Sequence, residues 1–385
     1  MHSISFRSSR SDFFRLIEDF EDFEDFENSE GANGFSQIKK CGSDVVASLI
    51  AGTCDKEGCF GKVIIDNGKA FKMNMKSSYS AIIKDKIFLD RVLHQNVMLI
   101  IVDSIIKEQR PDLVNRYPMV YDLFKCDKFF ISVYNSFNIG TISELISGAA
   151  GSNLDTPAGI AFLDRELLRC IFQISEIIGF LSTNYNFMHN DLKSNNVMAH
   201  MNESTKNIEY KMIDLDSAYI ELEKITILVN NKKYNENENL VHRINEKDRD
   251  HHPKDDDARN VFVSIKPRGF LGYEEEGKVF RESYRKYINI DIYILIFSFI
   301  FDQNIIKIMD NLPMFNQFIS YIFKEPDIEK IRATIYGKSK FIPKNIVGPY
   351  NYIITNEINL RLDIFEYIDS TIRSIEKDFD VNICK

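Results

Sequence analysis

The sequence predicts an α+β protein in two parts, a small β-rich N-terminal part followed by a larger helical one. Three observations predict it. Ile64-Ile65-Asp66-Asn67-Gly68-Lys69-Ala70-Phe71-Lys72 reads as strand, Asn-Gly turn and strand. Leu167, Ile171, Ile174, Ile178 and Leu181 recur at the spacing of one face of a long helix. Between apolar flanks, Phe187 to Met198 gathers Asp191, Lys193 and Asn196 on one short loop, and Met212-Ile213-Asp214-Leu215-Asp216 follows with a second acidic position.

Composition sets the outer bounds. The chain has 385 residues, more than one small domain, and its hydrophobic fraction of 44% is enough for a sizeable core. Lys+Arg 48 against Asp+Glu 57 gives a net charge of −9, which argues against a nucleic-acid partner, whose binding footprint would be basic. Cys41, Cys54, Cys59, Cys126, Cys170 and Cys384 form no C-x-x-C pair and have no histidine at metal spacing. They read as reduced thiols of a cytoplasmic protein. The N-terminus lacks the apolar core of a signal peptide. The longest apolar run, Ile288 to Phe301, is too short to span a bilayer and carries Asp291, so no transmembrane segment is expected.

Residues 1–40 repeat acidic-Phe triplets, Glu18-Asp19-Phe20, Glu21-Asp22-Phe23 and Glu24-Asp25-Phe26. A period of three suits neither helix nor strand, so this reads as a partly disordered extension whose phenylalanines can dock on a partner. Val45 to Ile50 is strand-like, and Gly58-Cys59-Phe60-Gly61-Lys62-Val63 is a glycine-rich turn leading into the hairpin that ends at Lys72. Ser80 to Leu93 and Val97 to Lys107 read as helix, the second ending before Arg110-Pro111. Met119 to Phe124 and Lys128 to Tyr134 are further strands, and a hinge is expected at 134–138. Thr141 to Ile146 opens a helix. Gly148 to Gly159 is small and polar but lacks the Lys-Ser/Thr ending of a phosphate-binding P-loop, so it reads as a surface connection. Residues 217–265 are charged and poorly apolar, a mobile loop in which His251 and His252 read as solvated rather than as metal ligands.

The residues of the 187–216 stretch suit phosphoryl transfer. That chemistry needs a carboxylate to orient a hydroxyl, hard oxygen ligands for metal ions, and cations over the moving phosphate. Asp191 can accept the hydroxyl proton, Lys193 can sit on the transferred phosphoryl group, and Asn196 and Asp214 can hold metal. Their order and spacing resemble the protein-kinase catalytic loop, H-R-D-L-x-x-x-N, followed by the metal-binding D-F-G. Gly58, Phe60, Gly61 and Val63 match the second half of the kinase loop G-x-G-x-x-G-x-V, with Lys56 where the first glycine usually stands. Lys72 falls where the kinase β3 lysine belongs, and Asp291-Ile292-Tyr293 resembles the start of the kinase helix that supports the catalytic loop from below.

The resemblance implies a bilobal fold, with an N-lobe over 41–138, a C-lobe over 139–385, an insertion at about 217–265, and ATP between the lobes. It implies ATP and Mg2+ as cofactors, with Mn2+ as a substitute ion, and serine and threonine residues of proteins as substrates. The usual helix glutamate that holds the lysine is missing, and Asp85 is the acid that fits best in its place. Asn190 stands where arginine normally precedes the catalytic aspartate, Asp216 replaces the glycine of D-F-G, and no A-P-E follows. The arginine normally reads a phosphate on the activation loop, so activity without that phosphorylation is expected. Similar features occur in serine/threonine kinases of poxviruses and other large DNA viruses, which would place the protein in host cytoplasm or in the virion. Two alternatives remain open. One is a small-molecule kinase of the aminoglycoside/choline kinase type, which also reads H-N-D but generally lacks the lysine that Lys193 supplies. The other is a pseudokinase scaffold that binds partners through its N-terminus.

Overall fold

The computed structural model describes residues 38–40, 56–58, 61–66, 68–75, 95–96, 98–99, 101–103, 105–125, 129–152, 156–185, 187–189, 191–215, 218, 220, 227–229, 232–234, 289–336, 352–353, 356 and 358–384. The acidic-Phe repeat, the Val45–Ile50 stretch, Phe60, the Ser80–Leu93 stretch with Asp85, Asn190, Asp216, His251 and His252 lie outside these residues. The structure is mixed α+β and divides into two compact units. The first takes its residues from 1–137, 214–216 and 221–264, the second from 138–213, 217–220 and 265–385.

The first unit is built on a six-stranded sheet. Its strands are β1 (Ile38–Lys40), β2 (Lys56–Gly58), β3 (Gly61–Asp66), β4 (Lys69–Met75), β5 (Val120–Lys125) and β6 (Phe129–Asn135), in the order β1-β5-β6-β4-β3-β2. β1 pairs with β5 in parallel and the other pairs are antiparallel. The β3–β4 hairpin closes on Asp66 and Lys69, and its turn places Gly68 at φ 75, where a side chain would be strained.

Strand alternation then sorts the side chains. Ile64, Met73, Ile131 and Val133 form a buried cluster, with Phe71 and Phe124 packed against it. Lys72 lies between Phe71 and Met73 and pairs with Ser132, so both belong to the opposite face of the sheet, as does Tyr134 two residues on. A helix, α1, is described at residues 95–96, 98–99, 101–103 and 105–109. Its Gln95, Met98, Leu99, Val102, Ile105 and Ile106 recur at i, i+3, i+4 and i+7, and all are buried.

In the second unit the short strand β7 (Gly140–Thr141) runs into α2 (Ile142–Ser152). The start is a capping box: Glu144 N donates to Thr141 Oγ1 at 3.1 Å, and Thr141 N donates to Glu144 Oε2 at 2.8 Å. This helix corrects the expected surface connection over 148–159. It continues through Gly148 to Ser152, and the next helix, α3 (Pro157–Tyr185), begins five residues later. The capping box and the fully buried Ile142 and Ile146 anchor α2 strongly enough to carry its glycines, each of which costs about 1 kcal/mol against alanine. Thr156 and Pro157 start α3, with Gly159 N donating to Thr156 Oγ1 at 3.1 Å.

α3 carries the helical stripe expected from the sequence, with Leu167, Ile171, Ile174, Ile178 and Leu181 all fully buried. It packs against the hairpin of β8 (Val197–Met201) and β9 (Ile208–Met212), and against three later helices. The helices that follow are α4 (Ile290–Ile300), α5 (Gln303–Ile308), α6 (Pro313–Ile322), α7 (Glu325–Tyr336) and α8 (Ile364–Phe379). α4, α6 and α8 pack against α3. A buried network of Glu166, Arg169 and Tyr210 ties α3 to β9, and Arg169 reaches the carbonyls of Asn382 and Ile383. α4 is apolar on nearly every side because it is buried on nearly every side. Among the described residues no single helix is long and apolar enough to cross a membrane. Of the charged 217–265 stretch, the described part contains a small antiparallel hairpin of β10 (Ile227–Val229) and β11 (Lys232–Tyr234).

Candidate active site

Two clusters of the residues singled out from the sequence stand in the structure, one in each unit. In the first unit Lys72 Nζ lies 2.7 Å from Asp214 Oδ1. The β4–β6 register fixes Lys72 beside Ser132, while Val63 of β3 stands directly opposite Lys72 across the hairpin. Gly58 and Gly61 pair across the β2–β3 hairpin on either side of residues 59–60. Asp214 has φ 65, in the left-handed region. Such a backbone costs a non-glycine residue roughly 1–2 kcal/mol and persists where surrounding contacts hold it. Lys206 and Asp380 share the positive φ but sit in the β8–β9 turn and at the end of α8. Asp214 sits in neither kind of place, and its carboxylate is held by Lys72.

Lys72 Nζ also donates to Gln95 Oε1 at 3.0 Å. Gln95 was not among the residues expected from the sequence, and the acid expected there, Asp85, is outside the described residues. Gln95 Nε2 donates to the Tyr134 hydroxyl at 3.2 Å, and that hydroxyl lies 3.4 Å from Asn96 Oδ1. Asn96 Nδ2 donates to Ser132 Oγ at 3.1 Å. Burial pushes the Tyr134 phenol above its ordinary range, so it stays protonated. The signal for Gln95 was positional: it begins the buried stripe of α1 one turn before Met98 and Leu99, where an amide has no reason to be unless it is hydrogen-bonded.

In the second unit Asp191, Lys193 and Asn196 stand together. Lys193 Nζ donates to both carboxylate oxygens of Asp191, at 2.9 and 2.8 Å. Asn196 Nδ2 donates to the Asp191 main-chain oxygen at 2.8 Å and to its Oδ2 at 2.9 Å. These donors set the plane of a carboxylate that is still 36% exposed. With Nδ2 so engaged, Oδ1 of Asn196 is the hard oxygen the side chain can offer a cation.

The loop is held from three directions. His189 N donates to Asp291 Oδ2 of α4 at 2.6 Å, and the His189 ring meets the Ile213 carbonyl through Nε2 at 2.8 Å. Ser194 N donates to Ser298 Oγ, also of α4, at 3.0 Å. The β8–β9 ladder is extended by Ile213 N donating to Asn196 O at 2.9 Å, which fixes the residue before Asp214 against the end of the loop. Ser298 was also missed in the sequence, although it is the one serine within the apolar stretch of α4. Among the described residues no group of three or more His, Cys, Asp or Glu can hold a metal ion by itself. Asp214 and Asn196, one in each unit, each carry a hard oxygen of the kind that Mg2+ takes. Against protein-family models the chain has no match, and no curated protein matches it either.

Proposed function

We propose that this chain is an ATP-dependent protein kinase that phosphorylates serine and threonine hydroxyls, of the kind that large DNA viruses encode. One observation carries the reading. Lys72 and Asp214, picked out separately as a phosphate-binding cation and a metal-binding acid, lie 142 residues apart in sequence and meet at 2.7 Å. Asp191, Lys193 and Asn196 support it with the acid, cation and amide that the chemistry requires.

In this reading Asp191 orients the substrate hydroxyl and takes its proton as the oxygen attacks the γ-phosphorus of ATP, whose bond to the β-phosphate oxygen breaks so that ADP leaves. Oδ1 accepts from Lys193 alone among the bonds above, whereas Oδ2 also accepts from Asn196, so Oδ1 is the oxygen that faces the hydroxyl. Lys193 then shifts from Asp191 toward the charge on the transferred phosphoryl group. Lys72 holds the non-transferred phosphates of ATP. Asp214 and Asn196 would each offer an oxygen ligand to Mg2+, which would neutralise charge on the phosphates.

The test is transfer of radiolabel from ATP, run with basic and acidic generic proteins and with choline and aminoglycosides. Label on serine or threonine of a protein is the expected result. Label on choline or an aminoglycoside instead overturns the substrate class, and ATP binding without transfer to anything would favour a scaffold.

A further inference from the structure

We infer that Gln95 is the positioning residue for Lys72, and that Tyr134 holds the Gln95 amide in the orientation that makes it so. The inference deepens the kinase reading and rests on it for its catalytic consequence.

Counting donors fixes the orientation of the Gln95 amide. A lysine ammonium only donates, so the Gln95 atom 3.0 Å from Lys72 Nζ must be the amide oxygen. Its Nε2 then points to Tyr134, whose hydroxyl accepts that bond and has one proton left to give. The Asn96 oxygen, 3.4 Å away, receives it, and the Asn96 amide nitrogen passes the direction on to Ser132. These bonds form a connected chain from Lys72 through Gln95, Tyr134 and Asn96 to Ser132. Lys72, Ser132 and Tyr134 belong to one face of the sheet, and Gln95 and Asn96 are adjacent on the helix bonded to it. Gln95 and Tyr134 are buried and Asn96 and Ser132 fully so, hence a reversed Gln95 amide would set donor against the Lys72 donor with little water to relieve it.

The chemistry of the partner matters. A neutral amide fixes the direction of the Lys72 side chain and leaves the charge for Asp214 and for the nucleotide. Gln95 thus gives Lys72 a neutral partner anchored in the sheet, and Asp214 gives it a charged one.

Two readouts test this on the full chain. The first is the rate at which Lys72 is acetylated by an amine-reactive reagent, followed by mass spectrometry. The second is the steady-state kinetics of ATP use. Gln95→Ala should speed Lys72 acetylation and lower kcat/KM for ATP by about 10- to 100-fold, the size of a hydrogen bond to a charged group. Gln95→Glu keeps an oxygen facing Lys72 and should return both toward wild type. Tyr134→Phe should move both in the direction of Gln95→Ala, by less. If Gln95→Ala leaves the acetylation rate of Lys72 unchanged, the inference is overturned. It is equally overturned if Gln95→Glu restores the melting temperature but neither readout, because the role is then structural only. If Gln95→Ala does not fold, Lys72 acetylation in Tyr134→Phe decides, and an unchanged rate there overturns the inference. If the wild type neither binds nor turns over ATP, the kinase reading fails while acetylation of Lys72 still decides the role of Gln95.

Discussion

The main-chain amide of His189 donates to the buried carboxylate of Asp291 at 2.6 Å, joining the Asp191 loop to the first turn of an apolar helix 102 residues later. A carboxylate near a helix N-terminus is favoured by the exposed amides there, and this one also satisfies an amide of the loop. Asp291→Ala should cost about 1–3 kcal/mol, because it leaves the His189 amide buried without that acceptor. Chemical denaturation measures the stability, and loop mobility by hydrogen exchange at residues 187–196 should rise with it. An unchanged midpoint and unchanged exchange would show that the contact does not hold the loop.

Asp191 carries the proton step of the proposed reaction. Asp191→Asn should lower turnover by about 10²–10⁴-fold while nucleotide binding survives. Lys72→Ala and Asp214→Ala should instead weaken nucleotide binding. Parallel measurements of ATP affinity and of single-turnover rate separate the two classes, and near-normal transfer by Asp191→Asn removes that residue from the mechanism.

Gly179 marks a close approach of α3 to α8. A Cβ added there would lie 2.8 Å from Phe365 Cγ and 3.1 Å from its Cβ, atoms that do not swing away with the ring. Gly179→Ala therefore should destabilise the protein by about 1–3 kcal/mol through overpacking, even though alanine is the better helix former. Thermal unfolding decides the sign: a rise in Tm would mean that α8 yields without cost.

Asp164 predicts a pH dependence. Its side chain lies on α3 and accepts from Met314 N at 3.0 Å and Phe315 N at 2.8 Å, serving the first turn of α6 where Leu312 offers no capping group. Burial pushes its carboxyl up to about 6, against the two amides that favour the charged form. A raised folded-state value means the folded protein holds the proton more tightly than the unfolded chain. The stability this contributes is present below about 4 and is lost as pH rises through about 6, to a limit of about 3 kcal/mol at ~1.4 kcal/mol per unit. Asp164→Asn cannot titrate, so the wild type should lose stability relative to it between pH 4 and pH 7. Denaturation midpoints of the two proteins that run parallel over that range would contradict the assignment.

What the sequence determined by itself was local. The hairpin turn at Gly68, the 3.6-residue stripe of α3, and the grouping of Asp191, Lys193 and Asn196 within six residues depend on backbone preference and short-range spacing, and each stands where the pattern put it. Local pattern also misled at Gly148 to Ser152, where low propensity gave way to a capping box and two buried isoleucines. Tertiary structure decided which groups meet. The β4–β6 register set Lys72 beside Ser132 and Tyr134, and the buried stripe of α1 set Gln95 against them. Nothing in the neighbourhood of Gln95 in sequence names a lysine as its partner. Burying that amide costs free energy unless a partner is found, and the partner is fixed only when sheet and helix have packed. The same holds for Ser298 and the Ser194 amide, and for the meeting of Lys72 with Asp214, which neither side chain's own segment could specify.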